Sequence, residues 1–288
     1  MVLWPLMGGR GILDLHGSNG LALAVTISPP LQDPADDTGI EALVATTWAA
    51  APTAPLGPWL LRAGGGFTLR ANAVAALGSP VEAELGAMIE QAEAFYAARR
   101  LPARFELTDR DPDPALAQAL IERGYVREGA NAEVTLASPL RTLRSIAPPE
   151  RDGRVVIAAA PSQDWIDRWW STLDGRDESQ RDAAAELIWA LRGRCGFAAH
   201  LADGEMVATG LAHIGGSWMG LYCLGVIPGR RHRGSARRIV GALATWGTAN
   251  AARRVYVCVP DDGGAAQQLF DRLGFTVSYR SEFVRPGC

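Results

Sequence analysis

The residues with the clearest chemical consequence lie between 221 and 243, in LYCLGVIPGRRHRGSARRIVGAL. An apolar, strand-like run ends at Val226-Ile227-Pro228, a loop rich in Gly and Arg follows, and the pattern predicts a helix from about Ser235. The first N–H groups of a helix have no partner within it, and the helix dipole adds positive charge at the same end. A junction of this kind can hold an anion such as a pyrophosphate on main-chain nitrogens. Gly234 lets the backbone approach such a ligand closely, Ala236 is too small to shield the amides, and Arg231 and Arg233 add charge. Arg230, Arg231, Arg233, Arg237 and Arg238 crowd this loop. A solvated face or a nucleic-acid patch is the plainer reading of such a run. Against nucleic acid stand a net charge of -3 and the lack of a second basic stretch.

The elements that must position this loop follow from periodicity. RVVIAAA (154–160) reads as a strand, and QDWIDRWWSTL and ESQRDAAAELIWALR as amphipathic helices. Residues 195–228 read as three strands joined by turns at Asp203-Gly204 and Gly215-Gly216. A helix from Ser235, with Ile239, Leu243 and Trp246 on one stripe, then leads to a short buried strand, RRVYVCVP. The helix GAAQQLFDRLG and the strand VSYRSEFV complete the chain. Strands followed by alternating helix and strand predict an α/β fold with a sheet of mixed direction. The run 277–285 reads as an edge strand open to a second copy, which would make a homodimer.

The first half carries a fainter version of the same order. ARRLPARFELT and ALAQALIERGYVREGANAEVTL match NAARRVYVCVP and GAAQQLFDRLGFTVSYRSEFV in helix end, strand, helix, Gly-aromatic pair and final strand. Gly124-Tyr125 and Gly274-Phe275 close the two helices, since Gly just past a helix end turns the chain through the left-handed region. This points to an internal duplication. A Pro- and charge-rich stretch, PLRTLRSIAPPERDG (139–153), separates the copies. The expected organisation is an irregular leader at 1–36, a first domain at 37–145 and a second at 146–288. The glycines at 64–66 have no helix after them and read as a hairpin turn rather than a nucleotide loop.

Composition removes several alternatives. Hydrophobic residues are 48% and charged residues 20% of the 288, a globular balance. The basic side chains are all Arg, so a Schiff-base lysine or a P-loop lysine is excluded. Cys195, Cys223, Cys258 and Cys288 form no CxxC pair, and His16, His200 and His232 show no metal spacing, so no metal is expected. No stretch approaches the roughly 20 apolar residues of a membrane span, and the N-terminus has no signal-peptide pattern, so the expected location is cytoplasmic.

Arg231-x-x-Gly234-x-Ala236 after an apolar strand, followed at 265–275 by AAQQLFDRLGF, resembles the GNAT superfamily of acyl-CoA N-acyltransferases over about residues 154–286. The first half resembles the same fold without its loop, since LGSPVEAEL (77–85) stands at the matching place. The resemblance implies two GNAT-like domains, each a mixed, mostly antiparallel twisted sheet flanked by helices, in tandem with a degenerate N-terminal copy. It implies acetyl-CoA as co-substrate, its pyrophosphate on the amides of 231–236, including Ser235. Its pantetheine arm would pair with Leu224 and Val226, where a main-chain N–H would stabilise the oxyanion. It also implies direct attack by a primary amine of a small molecule or peptide; the net charge of -3 separately argues against a nucleic-acid or membrane partner.

The chain departs from the family pattern where chemistry is often found. Phe270 stands where a Tyr often protonates the leaving thiolate, Gly220 where some relatives carry a Glu base, and Gly263 where an Asn is frequent. That leaves Tyr222 and His213, acting through water, as candidate catalytic residues. For both, core packing is the plainer reading. So it is for Trp165, Trp169 and Trp170, whose sharper reading is a wall of the acceptor pocket. The empty positions also keep open a non-catalytic CoA-binding or regulatory module.

Overall fold

A computed structural model describes residues 39–287, apart from 50–51, 111–112, 130–131, 144–145, 147–152 and 176. The leader expected at 1–36, and residues 144–145 and 147–152 of the connector expected at 139–153, lie outside the described residues. In chain order the elements are α1 (Ile40–Thr47), β1 (Thr53–Leu56), β2 (Trp59–Arg62), β3 (Val74–Ala76), α2 (Glu82–Ala97), β4 (Phe105–Thr108), α3 (Pro114–Glu122), β5 (Tyr125–Arg127), β6 (Glu133–Pro139) and α4 (Leu140–Leu143). They continue with β7 (Arg154–Ala158), α5 (Gln163–Ser171), α6 (Arg181–Ala190), β8 (Arg194–Ala202), β9 (Glu205–Gly215), β10 (Trp218–Val226), α7 (Ser235–Ala249), β11 (Arg254–Pro260), α8 (Ala265–Arg272) and β12 (Thr276–Pro286). Among the described residues no helix is long and apolar enough to cross a membrane.

All the strands join one 12-stranded sheet, in the order β1-β2-β3-β4-β12-β6-β11-β10-β9-β8-β7, with β5 also on β12. Two neighbouring pairs run parallel, β3 with β4 and β10 with β11, and the remaining pairs are antiparallel. The expected mixed, mostly antiparallel α/β fold is therefore present, as one continuous sheet. Continuity comes from an exchange of final strands. β6, the last strand before the expected boundary, pairs with β11 from Arg254↔Pro139 to Pro260↔Glu133. β12, the last of the chain, pairs with β4 through Ser281↔Thr108 to Val284↔Phe105. The two exchanged strands also pair with each other. The run 277–285 was expected to be an edge strand. Instead it is interior, because β6 covers one side and β4 and β5 the other. The glycines at 64–66, expected as a hairpin turn, lie in a longer connection over 63–73 between antiparallel β2 and β3 that also holds a 3₁₀ turn at Arg70–Asn72.

Successive side chains alternate across the sheet and feed two cores. On one face Leu221, Val255, Val257, Val134 and Leu136 pack under α7 with Ile239, Leu243 and Phe270. On the other, Trp165, Trp169 and Trp170 of α5 pack with Phe197, Leu211, Trp48 and Phe67. On this second face α1 covers Trp218, Tyr256 and Tyr279 through Ile40, Leu43 and Val44.

A buried charge network ties the exchanged strands together. Glu106 of β4 accepts from Arg62 at 2.6 Å, from Arg70 at 2.6 Å and from Ser281 of β12 at 2.9 Å. Arg70 also reaches Glu133 of β6 at 2.6 Å. Burial alone would raise the Glu106 pKa, but the two guanidiniums outweigh it and hold the carboxyl below its ordinary value. A group whose pKa is lowered by folding adds stability above its unfolded pKa, and that stability is lost as pH falls through the native value. Glu106→Gln should therefore cost about 3–5 kcal/mol near neutral pH, because it leaves the buried Arg62 guanidinium without its carboxylate and Arg70 with Glu133 alone. Urea melts between about pH 7 and about pH 3 should show the unmutated chain losing stability on acidification more steeply than the variant.

Candidate functional site

β10 and β11 pair in parallel only from Trp218↔Arg254 to Leu221↔Val257, and beyond Leu221 they separate into a fork. β10 stays on β9, but its register shifts between Tyr222 and Gly225. This bulge is built at Cys223, a non-Gly residue at φ 52, where the backbone conformation costs about 1–3 kcal/mol. Thr209 Oγ1 donates to the Cys223 carbonyl at 3.2 Å and fixes the bulge. An extra residue in one strand breaks the alternation of faces. Tyr222 and Cys223, neighbours in sequence, consequently both pack toward the α5 and α6 core. Leu224 and Val226 pack toward α7. Ile227 N–H donates to Val207 of β9, so the alternation of an antiparallel ladder turns the main-chain groups of Val226 toward the fork.

Past the strand, a 3₁₀ turn at Pro228–Arg230 leads into Arg231, His232 at φ 62 and Gly234 at φ 82, the residue that caps α7. Nothing crowds a Cβ at Gly234, so glycine is favoured there by conformation rather than by space. The first main-chain bond inside α7 is Arg238 N–H to Gly234 O at 3.0 Å. The N–H groups of 232–237 bond to none of the described residues, which is the set of free donors an anion needs. Arg233 is exposed, Ser235 buried and Ala236 half-buried.

The Arg231 side chain does something the sequence did not disclose. Its guanidinium donates to Asp174 at 3.0 Å, to the Thr172 carbonyl at 3.3 Å and to the Val226 carbonyl at 3.3 Å. It thereby ties the loop to the end of α5. Gly225 serves the same junction, since a Cβ there would stand 2.0 Å from Thr172 Oγ1. Gly225→Ala should lower stability by about 1–3 kcal/mol, read from a denaturant melt, because α5 must move off the strand.

The two candidate proton-transfer residues are separated. Tyr222 is the first residue of β10 beyond the fork point. Its ring stacks on Trp48 at 5.1 Å with planes 8° apart, and its hydroxyl is hydrogen-bonded to Tyr256. Burial first, then the neighbouring Tyr256, push the Tyr222 phenol well above its ordinary pKa, so it is a neutral donor. His213 lies on β9 opposite Gly220, before the fork opens, with Nε2 on the Arg192 carbonyl at 2.8 Å. Burial lowers its pKa and keeps it neutral. Phe270 is in the α7-side core, edge-to-face with Phe275 at 5.0 Å. Gly220 is explained by its neighbours, because a Cβ there would stand 2.6 Å from the Tyr256 ring and hydroxyl. Trp48, Thr47 and Tyr256 escaped the sequence reading. The available signal was a glycine in register with Tyr256 and two positions from Tyr222. Among the described residues no group of three His, Cys, Asp or Glu could hold a metal ion.

The first half keeps a fork of its own. β3 and β4 pair in parallel only at Val74↔Phe105 and Ala75↔Glu106. The helix after it, α2, carries Glu82 and Glu84 in its first turn, charges that repel a phosphate.

Comparison with known proteins agrees with this architecture. Residues 35–284 match the family model described as "Probable histone acetyltransferase Rv0428c C-terminal". The chain belongs to that family, within the GNAT superfamily, and is an acyltransferase. It is 27% identical over 238 residues to "Uncharacterized N-acetyltransferase YobR" of Bacillus subtilis strain 168, covering 82% of this chain and 93% of that one. It is also 27% identical over 277 residues to "Probable histone acetyltransferase Rv0428c" of Mycobacterium tuberculosis H37Rv, covering 95% of this chain and 81% of the relative. Among solved structures, a GCN5-related N-acetyltransferase from Kribbella flavida aligns with TM-score 0.62 and 18% identity, over 88% of this chain and 96% of that one. A tandem GNAT protein from the clavulanic acid biosynthesis pathway aligns with TM-score 0.60 and 15% identity, over 88% and 89%.

Proposed function

We propose that the chain moves an acetyl group from acetyl-CoA to a primary amine by direct attack within a ternary complex. The observation that carries this reading is the row of unpartnered amides at 232–237 beside a forked strand pair. In this reading the pyrophosphate lies on the amides of 232–236, the Arg231 N–H being engaged by the Pro228 carbonyl at 3.3 Å, with Gly234, Ser235 and Ala236 around it and Arg233 adding charge. The pantetheine arm pairs with main-chain groups of Leu224 and Val226. A main-chain N–H beside the Cys223 bulge takes the charge that develops on the carbonyl oxygen, a role worth about 3–4 kcal/mol where one such donor has been removed. Arg231 acts chiefly by holding the loop on α5. His213 keeps its expected part through water only if the amine approaches from the β9 side. The acceptor is a small molecule or a peptide amine, and the expected setting is the cytoplasm.

Calorimetry with acetyl-CoA and with CoA tests the donor half of this reading. The unmutated chain should bind both. Gly234→Glu should lose about tenfold or more, since it puts a negative charge and a strained side chain on the amides. Arg231→Ala should weaken binding by less, through the loop. No binding by the unmutated chain overturns the reading.

A non-catalytic CoA-binding module is the second reading, favoured by Phe270, Gly220 and Gly263 at positions that often carry chemistry. Thiol release over a panel of amines separates the two. The panel should include a lysine peptide, because one relative is named a probable histone acetyltransferase. Turnover with any amine rejects the binding-only reading.

A further inference from the structure

Acyl transfer to an amine moves one proton overall. The C–S bond breaks, a C–N bond forms, the sulfur gains a proton and the nitrogen loses one. Phe270 has no hydroxyl to supply it and lies in the core on the α7 side of the sheet. The opposite face of the fork is rich in hydroxyls. Tyr222 of β10 and Tyr256 of β11 stand on strands that are still paired at Leu221↔Val257, and their phenols are hydrogen-bonded across the apex. The Thr47 hydroxyl, at the end of α1, lies beside both phenols. The three groups come from both halves of the chain.

Their placement is tightly set. Trp48 stacks on Tyr222, and Trp218 meets Tyr256 edge-on at 6.2 Å. Glycine at 220 makes room for both rings, since a Cβ there would stand 2.6 Å from Tyr256 and 2.7 Å from Tyr222. Of the two residues, Tyr256 is buried and Tyr222 half-buried, at the mouth of the fork. Tyr222 also adjoins the Cys223 bulge, where the thioester lies in the reading above.

Resting on that reading, we propose that Tyr222 donates the proton that the departing thiol needs, and that Tyr256 and Thr47 are positioning residues that aim and recharge it. Either phenol can donate in the bond between them, so a proton can pass from Tyr256 to Tyr222 as Tyr222 gives up its own. The proton shed by the attacking nitrogen returns to the pair, which ends neutral as it began.

The test compares acetyl-CoA with its selenoester analogue on the full chain, using hydroxylamine and a lysine peptide as probe amines. A selenol is far more acidic than a thiol and leaves without a proton. Tyr222→Phe keeps the ring and its stack on Trp48. Its turnover at saturating acetyl-CoA should fall by about 10²-fold, with unchanged affinity by calorimetry. With the selenoester the deficit should shrink to less than about threefold. Tyr256→Phe and Thr47→Val should show the same pattern at about tenfold, and they carry the test if Tyr222→Phe fails to fold. A loss of equal size on both donors, or full activity of Tyr222→Phe, overturns this proposal alone. An unmutated chain that binds acetyl-CoA but releases thiol with neither probe nor any amine of the panel overturns both this proposal and the catalytic reading beneath it.

Discussion

Pairing of β6 with β12 is the constraint on which the remaining structure hangs. Each strand leaves the half that precedes it in sequence and completes the sheet of the other. Because strand neighbours lie about 5 Å apart, this seam sets the two forks at a fixed distance across four strands. It also fixes what faces the second fork. α1, from the first half, lies over Trp218, Tyr256 and Tyr279, and this brings Thr47 and Trp48 to Tyr222. The second fork is therefore lined in part by residues of the first half.

The seam is held by unusual means. Arg62, Arg70, Glu106 and Glu133 balance one another in charge, three of them almost wholly out of water. An ion network of this kind adds little net stability over a well-packed apolar core, because desolvation consumes much of the attraction. It does penalise wrong partners. A slip of β12 by one residue would turn Ser281 away from Glu106 and bury Glu282, so the network selects register more than it adds strength.

Much of this was legible in the residues. The helices and strands of the second half follow their periodicity closely, because each is local and amphipathic. Gly124 and Gly274 marked helix ends, and both have positive φ. The loop at 231–236 was legible because its meaning is local too, a strand end, a glycine and a helix start. The exchange was not. EVTLASP and VSYRSEFV alternate as strands should, but alternation says which face is buried and nothing about which strand lies alongside. The same limit hid Tyr256 and Thr47, which reach Tyr222 only through pairing and helix docking far along the chain. Arg231 was found for its charge, while its side chain turned out to brace α5.

The bulge and the exchange together describe a molecule divided by task. One fork is followed by amides and arginines, the other by Glu82 and Glu84. The exchange also bears on how the polypeptide is made. Residues 281–286, which β4 and β5 need as a neighbour, leave the ribosome long after both strands have done so. Vectorial synthesis would normally let an N-terminal portion mature early. Here that portion must wait with two unpaired strand margins until β12 has been made, and this long exposure is the interval in which a holding chaperone has most to protect.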